Sequence, residues 1–212
     1  MRLYSFWRSS AAYRVRIALN LKHIEYELVP KHLAQGEHRL EEYLAANPQG
    51  LVPALEHRGM VFTQSLAIIE YLDSVAPEPR LLPQDPADRA HVAAMAQAIA
   101  CDIHPLNNLR VTNYLRQELG QGEGAVQEWY AHWIREGFTA MEAWAVQRST
   151  SRRYLYGDTV SLADVLLVPQ MYNARRFKVS VEAFPALVAI DRHLCTLPAF
   201  IAASPECQPD RA

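Results

Sequence analysis

Two consecutive serines near the start of the chain, Ser9 and Ser10, could bind an anion or stabilise a thiolate. A short aromatic stretch before them is typical of a strand, and apolar residues recur after them at helical spacing. A serine at a helix N-terminus combines a hydroxyl with free backbone N–H groups and the positive end of the helix dipole. Such a point favours negative charge, including that of a sulfur atom. An ordinary helix cap without a ligand explains the same residues, so this motif alone leaves both interpretations open.

A second group of informative residues surrounds Pro53. This proline interrupts the apolar run 51–55, and proline is normally excluded from a central strand. It favours the start of an edge strand, where a cis Val52–Pro53 bond would be a deliberate structural feature. Gln64 and Ser65 then separate a short predicted strand from an apolar helix. The alternation of strands and helices up to residue 75 predicts a small α/β domain.

A proline-rich segment divides the chain. Four prolines lie within residues 77–86, which excludes a helix or a central strand and predicts a linker. The chain then becomes alanine-rich, and we expect a second, all-helical domain. The predicted helices cover 87–119 with a bend at Pro105, 123–147 and 161–177, with shorter ones near Pro185 and Pro198. The expected domains are therefore 1–82 and 88–212.

Composition excludes several classes of function. The 212 residues include 21 basic and 23 acidic side chains, so no nucleic acid or anionic membrane partner is expected. The sequence contains no apolar stretch long enough to span a bilayer, and we expect no membrane association. The three cysteines, Cys101, Cys195 and Cys207, are odd in number and widely spaced. This usage favours a cytoplasmic protein without disulfides or a metal site.

Five ordered blocks carry a resemblance that covers nearly the whole chain: 9–19, 47–55, 64–72, 102–110 and 157–170. In these blocks the chain resembles the zeta class of glutathione transferases, which comprises the maleylacetoacetate isomerases and the bacterial maleylpyruvate isomerases. The resemblance implies the glutathione transferase fold, with an α/β thioredoxin-like N-terminal domain and an all-α C-terminal domain. The chain departs from the class at Ala11 and Ala12, where many members have cysteine and serine.

The resemblance implies a glutathione-dependent cis–trans isomerase that converts maleylacetoacetate or maleylpyruvate into the fumaryl isomer. The thiolate of glutathione would add to the cis double bond, the resulting single bond would rotate, and elimination would release the trans product. A thiol with a pKa of about 8.5 is mostly protonated at neutral pH, so the site must stabilise the thiolate. The hydroxyls of Ser9 or Ser10 and the helix N-terminus can do so without a general base.

The substrate of such an enzyme is a small dianionic diketo acid, so the pocket should supply cations for its carboxylates. The resemblance assigns this role to Arg8 from the first domain and Arg176 from the second. Arg175, beside Arg176, is expected to be the solvated member of the pair. The predicted catalytic residues are therefore Ser9, Ser10, Arg8 and Arg176.

The resemblance also implies residues that hold the glutathione peptide. Val52 would pair its backbone with the cysteinyl part of glutathione, as a strand edge does with an extended peptide. Gln64 and Ser65 would bind the γ-glutamyl carboxylate at a helix start. The full predicted set comprises Ser9, Ser10, His38, Gln49, Val52, Gln64, Ser65, His104, Asn108 and Arg110. A homodimer is implied by the resemblance alone.

Two alternatives remain at this stage. A glutathione S-transferase or dehalogenase acting on small α-halo acids would use the same thiolate and arginines. A binding module without enzymatic activity would share the fold but has no need of the serines and arginines together, and fold alone does not define function. Outside the site, Ser161 and Asp164 predict a helix capping box, so we assign Asp164 to folding.

Overall fold

The computed structural model describes residues 1–211, which form two compact units. The first unit comprises Met1–Arg80 together with residues from Thr196 onward, and the second comprises Leu81–Cys195. The last segment of the chain thus packs with the N-terminal unit. The domain ranges 1–82 and 88–212 remain a prediction. The two units show which segments pack together, which does not test where independently folding domains begin and end.

A four-stranded mixed sheet forms the centre of the first unit. Its strands are β1 (Arg2–Ser5), β2 (Glu27–Pro30), β3 (Ala54–His57) and β4 (Met60–Thr63). Their order is β2-β1-β3-β4, with β1 parallel to β2 and antiparallel to β3. The Val52–Pro53 bond directly before β3 is cis. The predicted edge strand is wrong, because β3 pairs with both β1 and β4, and Pro53 lies just before the strand, where no ladder N–H is required. The α/β prediction for this part of the chain is confirmed.

Four helices accompany the sheet: α1 (Ser10–Leu21), α2 (Glu41–Ala46), α3 (Ser65–Val75) and, near the end of the chain, α9 (Pro198–Ala203). Helix α1 contacts both α3 and α9. Most of its side chains are buried, including the two arginines Arg14 and Arg16. A helix with polar side chains inside must satisfy them with hydrogen bonds, and this requirement shapes the site described below.

The second unit is built mainly of helices. Its helices are α4 (Pro86–Gln97), α5 (Leu109–Gln117), α6 (Glu123–Arg148), α7 (Leu162–Arg176) and α8 (Pro185–Leu194). The helix predicted over 87–119 with a bend at Pro105 is interrupted rather than only bent: a π-helical turn at Ala98–Ile103 and an open turn around Pro105 separate α4 from α5. Proline has no N–H to donate, and π turns interrupt the regular bonding pattern. The helices predicted over 123–147 and 161–177 are confirmed.

A glycine allows α6 to approach the π turn. A Cβ atom added at Gly137 would lie 2.3 Å from the side chain of Ile103. No side chain can occupy that space while Ile103 stays in place. Gly137 therefore fixes how closely the segment before His104 packs against α6.

The start of α7 contains the predicted capping box. The buried carboxylate of Asp164 accepts hydrogen bonds from the backbone N–H and the hydroxyl of Ser161, each at 2.8 Å. Its other oxygen accepts from the backbone N–H of Leu155 at 2.7 Å. Asp164 is thus fully engaged in the fold, as the sequence predicted.

Residues 1–211 contain neither a membrane-spanning helix nor a cluster of metal ligands. None of the helices there has the length and apolar character needed to cross a bilayer. In the same range, no three or more His, Cys, Asp or Glu side chains are placed to hold a metal ion. None of the three cysteines forms a disulfide bond within residues 1–211, and all three are exposed.

Candidate functional site

The turn between β1 and α1 carries Ser9 at the helix N-terminus. Ser9 has extended backbone geometry, and its Oγ accepts a hydrogen bond from the backbone N–H of Ala12 at 3.2 Å. Its own N–H donates to the carbonyl of Phe6 at 2.9 Å. Ser10 is the first helical residue and is buried. Of the two serines left open by the sequence, Ser9 is therefore the cap.

Arg8 stands directly before this cap and is exposed. Its guanidinium carbon lies 5.0 Å from the centre of the Trp7 ring, a cation–π arrangement. Within residues 1–211 Arg8 makes no ion pair. The turn thus presents a cation beside a capping hydroxyl and the positive end of a helix dipole.

The segment before the cis proline offers an open peptide edge. Tyr43 and Asn47 both donate side-chain hydrogen bonds to the carbonyl of Leu51, at 2.6 and 2.7 Å. The backbone N–H and C=O of Val52 have no hydrogen-bond partner within residues 1–211. Val52 also belongs to a hydrophobic cluster with Phe6, against which Trp7 packs. The structure therefore brings Val52 close to the β1–α1 turn.

A tight turn positions Gln49 beside this edge. The Oδ1 of Asn47 accepts from the backbone N–H of Gln49 at 3.1 Å, and the Asn47 carbonyl accepts from Gly50 at 2.8 Å. Gly50 has φ +59°, and a Cβ there would lie 2.9 Å from the carbonyl oxygen of His38. The segment around His38 therefore packs directly on this turn. An Asn-Pro pair before a glycine is a turn signal that sequence reasoning could have used for Asn47.

Gln64 and Ser65 stand at the start of α3, as predicted. The side-chain amide of Gln64 donates to the side-chain oxygen of Gln49 at 2.8 Å. Ser65 is buried, and its Oγ accepts from the guanidinium of Arg14 at 3.1 Å. The structure thus joins Gln49 to Gln64, and it ties Ser65 to helix α1 through Arg14.

His38 is half-buried in a short 3₁₀ turn, Glu37–Arg39. Burial lowers the pKa of its imidazole below the usual value, and the charge of Arg39 lowers it further. Its Nδ1 is buried without a partner in residues 1–211. At neutral pH this side chain is mainly a neutral hydrogen-bonding group rather than a cation.

In the second unit, His104, Asn108 and Arg110 lie around the turn that separates α4 from α5. His104 follows the π turn, and its backbone N–H donates to the carbonyl of Ile99 at 2.9 Å. Asn108 caps α5, and its Oδ1 accepts from the backbone N–H of Arg110 at 3.1 Å. Arg110 is exposed in the first turn of α5. All three predicted residues are thus on one short segment.

Arg176 is the last residue of α7, and its guanidinium carbon lies 4.6 Å from the centre of the Phe177 ring. Phe177 stacks on Tyr130 of α6, with 3.9 Å between the ring centres. The Tyr130 hydroxyl donates to Asn173, and burial raises the pKa of this hydroxyl strongly. Sequence reasoning missed Tyr130 and Phe177, whose stacking depends on the packing of two helices.

The same tyrosine connects Arg176 to the His104–Asn108 turn. The side-chain amide of Asn107 donates to the backbone carbonyl of Tyr130 at 3.4 Å. Arg175, by contrast, is half exposed and forms an ion pair of 2.5 Å with the buried carboxylate of Asp191. Arg175 therefore forms an ion pair within the fold, whereas the sequence analysis expected its side chain to be solvated.

Comparisons with known proteins agree with this architecture. Residues 1–74 match the family model for the glutathione S-transferase N-terminal domain, and residues 133–198 match that for the C-terminal domain. A probable maleylacetoacetate isomerase of Vibrio cholerae is 49% identical over 98% of this chain and 97% of its own length. The chain therefore belongs to the glutathione S-transferase family.

Two solved structures indicate the class within this family. A bacterial maleylpyruvate isomerase, described as a zeta-class glutathione S-transferase, is 47% identical, with a TM-score of 0.97 and full coverage of both chains. A maleylacetoacetate isomerase of Methylobacterium extorquens AM1, solved with malonate and glutathione bound, is 37% identical, with a TM-score of 0.95 and full coverage. The predicted resemblance to the zeta class and the predicted fold are confirmed.

Proposed function

We propose that this chain is a glutathione-dependent cis–trans isomerase that converts maleylacetoacetate or maleylpyruvate into the fumaryl isomer. The observation that carries the proposal is that the backbone N–H and C=O of Val52 are available for hydrogen bonding. They lie in the same compact unit as the Ser9 cap and the Gln49–Gln64 pair. The prediction of isomerase activity with glutathione as cofactor is confirmed by the full-length relatives, which are named as such isomerases and include a structure with glutathione bound.

The residues present fit a glutathione peptide. An unpaired N–H and C=O at Val52 match the backbone of an extended peptide. Gln49 and Gln64 are exposed and polar, and the start of α3 offers free N–H groups to a carboxylate. When bound, glutathione supplies a thiol whose ionised form adds reversibly to a conjugated double bond, so that bond can rotate without any net oxidation or reduction.

Ser9 stabilises the thiolate in this proposal. Its Oγ already accepts a hydrogen bond from Ala12, which leaves the hydroxyl proton available to donate to a sulfur anion. The positive end of the α1 dipole favours the same charge. Ser10 is buried at the start of α1, and in this proposal it has a supporting role.

Arg8 and Arg176 bind the two carboxylates of the substrate in this proposal. Both side chains are exposed, and each lies over an aromatic ring that restricts it. Binding of malonate, a small dicarboxylate, by the Methylobacterium relative supports a dianionic ligand. His104, Asn108 and Arg110 contribute further polar contacts to glutathione or substrate.

The test is an assay of maleylpyruvate and maleylacetoacetate with and without glutathione, in which product and free thiol are both measured. We expect isomerisation only with glutathione and no net loss of thiol. Undiminished activity without glutathione would reject the proposal. Loss of one thiol per product would instead identify a transferase, including one that acts on small α-halo acids.

Location and assembly are also part of the proposal. We propose a cytoplasmic homodimer. Cysteines that form no disulfide within residues 1–211 support the location, and the exposed apolar side chains of Met60 and Val61 on β4 support the assembly. Sedimentation of the purified protein tests the assembly. A monomer at micromolar concentration would contradict it.

A further inference from the structure

Trp7, the residue before Arg8, forms hydrogen bonds through both its backbone N–H and its backbone carbonyl. The N–H of Trp7 donates to Oδ2 of Asp210 at 2.9 Å, and its carbonyl accepts from the guanidinium of Arg16, also at 2.9 Å. The two partners come from distant parts of the chain, since Arg16 lies 9 positions from Trp7 and Asp210 lies 203 positions away. Because Trp7 is followed by Arg8 and Ser9, these two bonds fix the backbone from which both side chains project.

Arg16 is fully buried and connects several parts of the first unit. Its Nε donates to the carbonyl of Ala203 at the end of α9, at 2.9 Å, and its Nη1 donates to the Ser5 hydroxyl at 3.1 Å. Burial lowers the pKa of Arg16 to about 10, while the negative charge of Asp210 opposes this shift. Arg16 therefore stays protonated at neutral pH and can hold the Trp7 carbonyl as a cation.

The segment after α9 is folded so that Asp210 reaches the turn. The side-chain amide of Gln208 donates to the carbonyls of Ala202 and Ser204, at 3.0 and 2.9 Å. Oδ1 of Asp210 is buried and has no hydrogen-bond partner within residues 1–211. The carboxylate of Asp210 thus forms its hydrogen bond with Trp7, and leaving its buried Oδ1 without a partner carries a cost for the fold.

We propose that Asp210 is a positioning residue of the isomerase. Together with Arg16 it holds the Trp7 peptide, and through it sets the place of the Ser9 hydroxyl and the Arg8 cation. The inference rests on the proposed roles of Ser9 and Arg8. An error of 1 Å in such a turn can cost a factor of about a hundred in rate.

The experiment compares Asp210→Ala with Asp210→Asn, which keeps an oxygen that can accept from Trp7. Glu206→Gln is the matched control, since it removes an exposed carboxylate from the same segment. We expect Asp210→Ala to lower kcat roughly tenfold to a hundredfold, with the KM for glutathione changed less than about twofold because Gln49, Val52 and Gln64 are untouched. Asp210→Asn should recover most of kcat, and the control should match the parent protein.

The ultraviolet absorbance of bound thiolate gives a second readout that does not need the isomerase reaction. Asp210→Ala should raise the pKa of bound glutathione, because the displaced Ser9 hydroxyl stabilises S⁻ less well. If the parent protein does not isomerise, the proposed function fails while this titration still tests the positioning role. An unchanged thiol pKa and kcat in folded Asp210→Ala, or an Asp210→Asn variant as impaired as Asp210→Ala, would overturn the inference.

Discussion

The side-chain amide of Gln64 donates a hydrogen bond of 2.8 Å to the side-chain oxygen of Gln49, so two proposed glutathione ligands already contact each other. Gln64 achieves this with φ +67° and ψ 119°, a backbone geometry that residues other than glycine rarely adopt. Strain of this kind costs about 1–3 kcal/mol and concentrates at ligand-binding positions. The strained backbone therefore positions the Gln64 side chain at a cost in the free energy of folding.

The first prediction separates that strain from binding by comparing Gln64→Gly with Gln64→Ala. Both remove the side chain and should raise the glutathione Kd roughly five- to thirtyfold, through the loss of one or two hydrogen bonds. Glycine relieves the strain and alanine does not, so Gln64→Gly should be more stable than Gln64→Ala by about 1 kcal/mol.

Calorimetry for binding and urea unfolding for stability provide the two readouts. The exposed Gln35→Ala variant serves as a control and should leave both unchanged. Equal stability of the two Gln64 variants would show that the backbone there is not strained. Glutathione binding at parent affinity in either one would remove Gln64 from the binding site.

The second prediction concerns the two functions of Ser9. Ser9→Ala and Ser9→Gly should each lower kcat roughly tenfold to a hundredfold, because both remove the hydroxyl proposed to stabilise the thiolate. Ser9→Ala should also lower the free energy of unfolding by about 1 kcal/mol through loss of the helix cap, whereas Ser9→Gly should cost only a few tenths.

Titration of bound thiolate and thermal unfolding measure these effects independently. Ser10→Ala is the matched comparison and should leave the thiol pKa nearly unchanged. If instead Ser10→Ala raises that pKa and the Ser9 variants do not, the role assigned to Ser9 belongs to Ser10.

The third prediction contrasts two neighbouring arginines. Arg176→Ala should reduce kcat/KM for the maleyl acid by a factor of roughly ten to a thousand, the effect of losing a charge-assisted contact. Lysine should be a poor replacement, because it lacks the planar fork that matches a carboxylate. Affinity for glutathione should stay nearly constant, since its proposed ligands at Gln49, Val52 and Gln64 are in the first unit.

Arg175→Ala is the control for this prediction. It removes the partner of the buried Asp191 carboxylate and should lower the free energy of unfolding by about 2–3 kcal/mol, with little effect on kcat/KM of the folded protein. Steady-state kinetics with each reactant varied separately distinguish the two variants. A rise in the glutathione KM as the main effect of Arg176→Ala would contradict the proposed division of roles.

The sequence predicted those features whose causes are local. A serine cap at residue 9 or 10, the helix start at Ser65 and the capping box at Asp164 each depend on residues within a few positions. The bend predicted at Pro105 is a full break between α4 and α5. The π-helical turn before it was not predicted, and it packs against Gly137 of α6, which is far away in the sequence. The bond from Trp7 to Asp210 was also missed, since no periodicity in the sequence relates residues at opposite ends of the chain.

The fourth prediction concerns the pH dependence of stability through Asp164. Burial raises the pKa of its carboxyl to about 6, above the value of about 3.9 expected in the unfolded chain. The folded state therefore binds the proton more tightly, and this contribution to stability is present below about pH 4 and is lost as the pH rises through 6. Asp164→Asn cannot titrate, so its stability lacks this contribution.

Urea unfolding of the parent protein and Asp164→Asn between pH 4 and 8 measures the effect. The variant should be less stable by about 3 kcal/mol at pH 5, because an amide has one oxygen for the donors of Leu155 and Ser161. The difference should narrow by about 2 kcal/mol from pH 4 to pH 8, as the parent carboxyl ionises. The exposed Asp158→Asn control should stay within about 0.5 kcal/mol of the parent protein at neutral pH. A difference that widens with rising pH would mean that the fold stabilises the Asp164 carboxylate rather than the neutral acid, because its three hydrogen bonds outweigh the cost of burial.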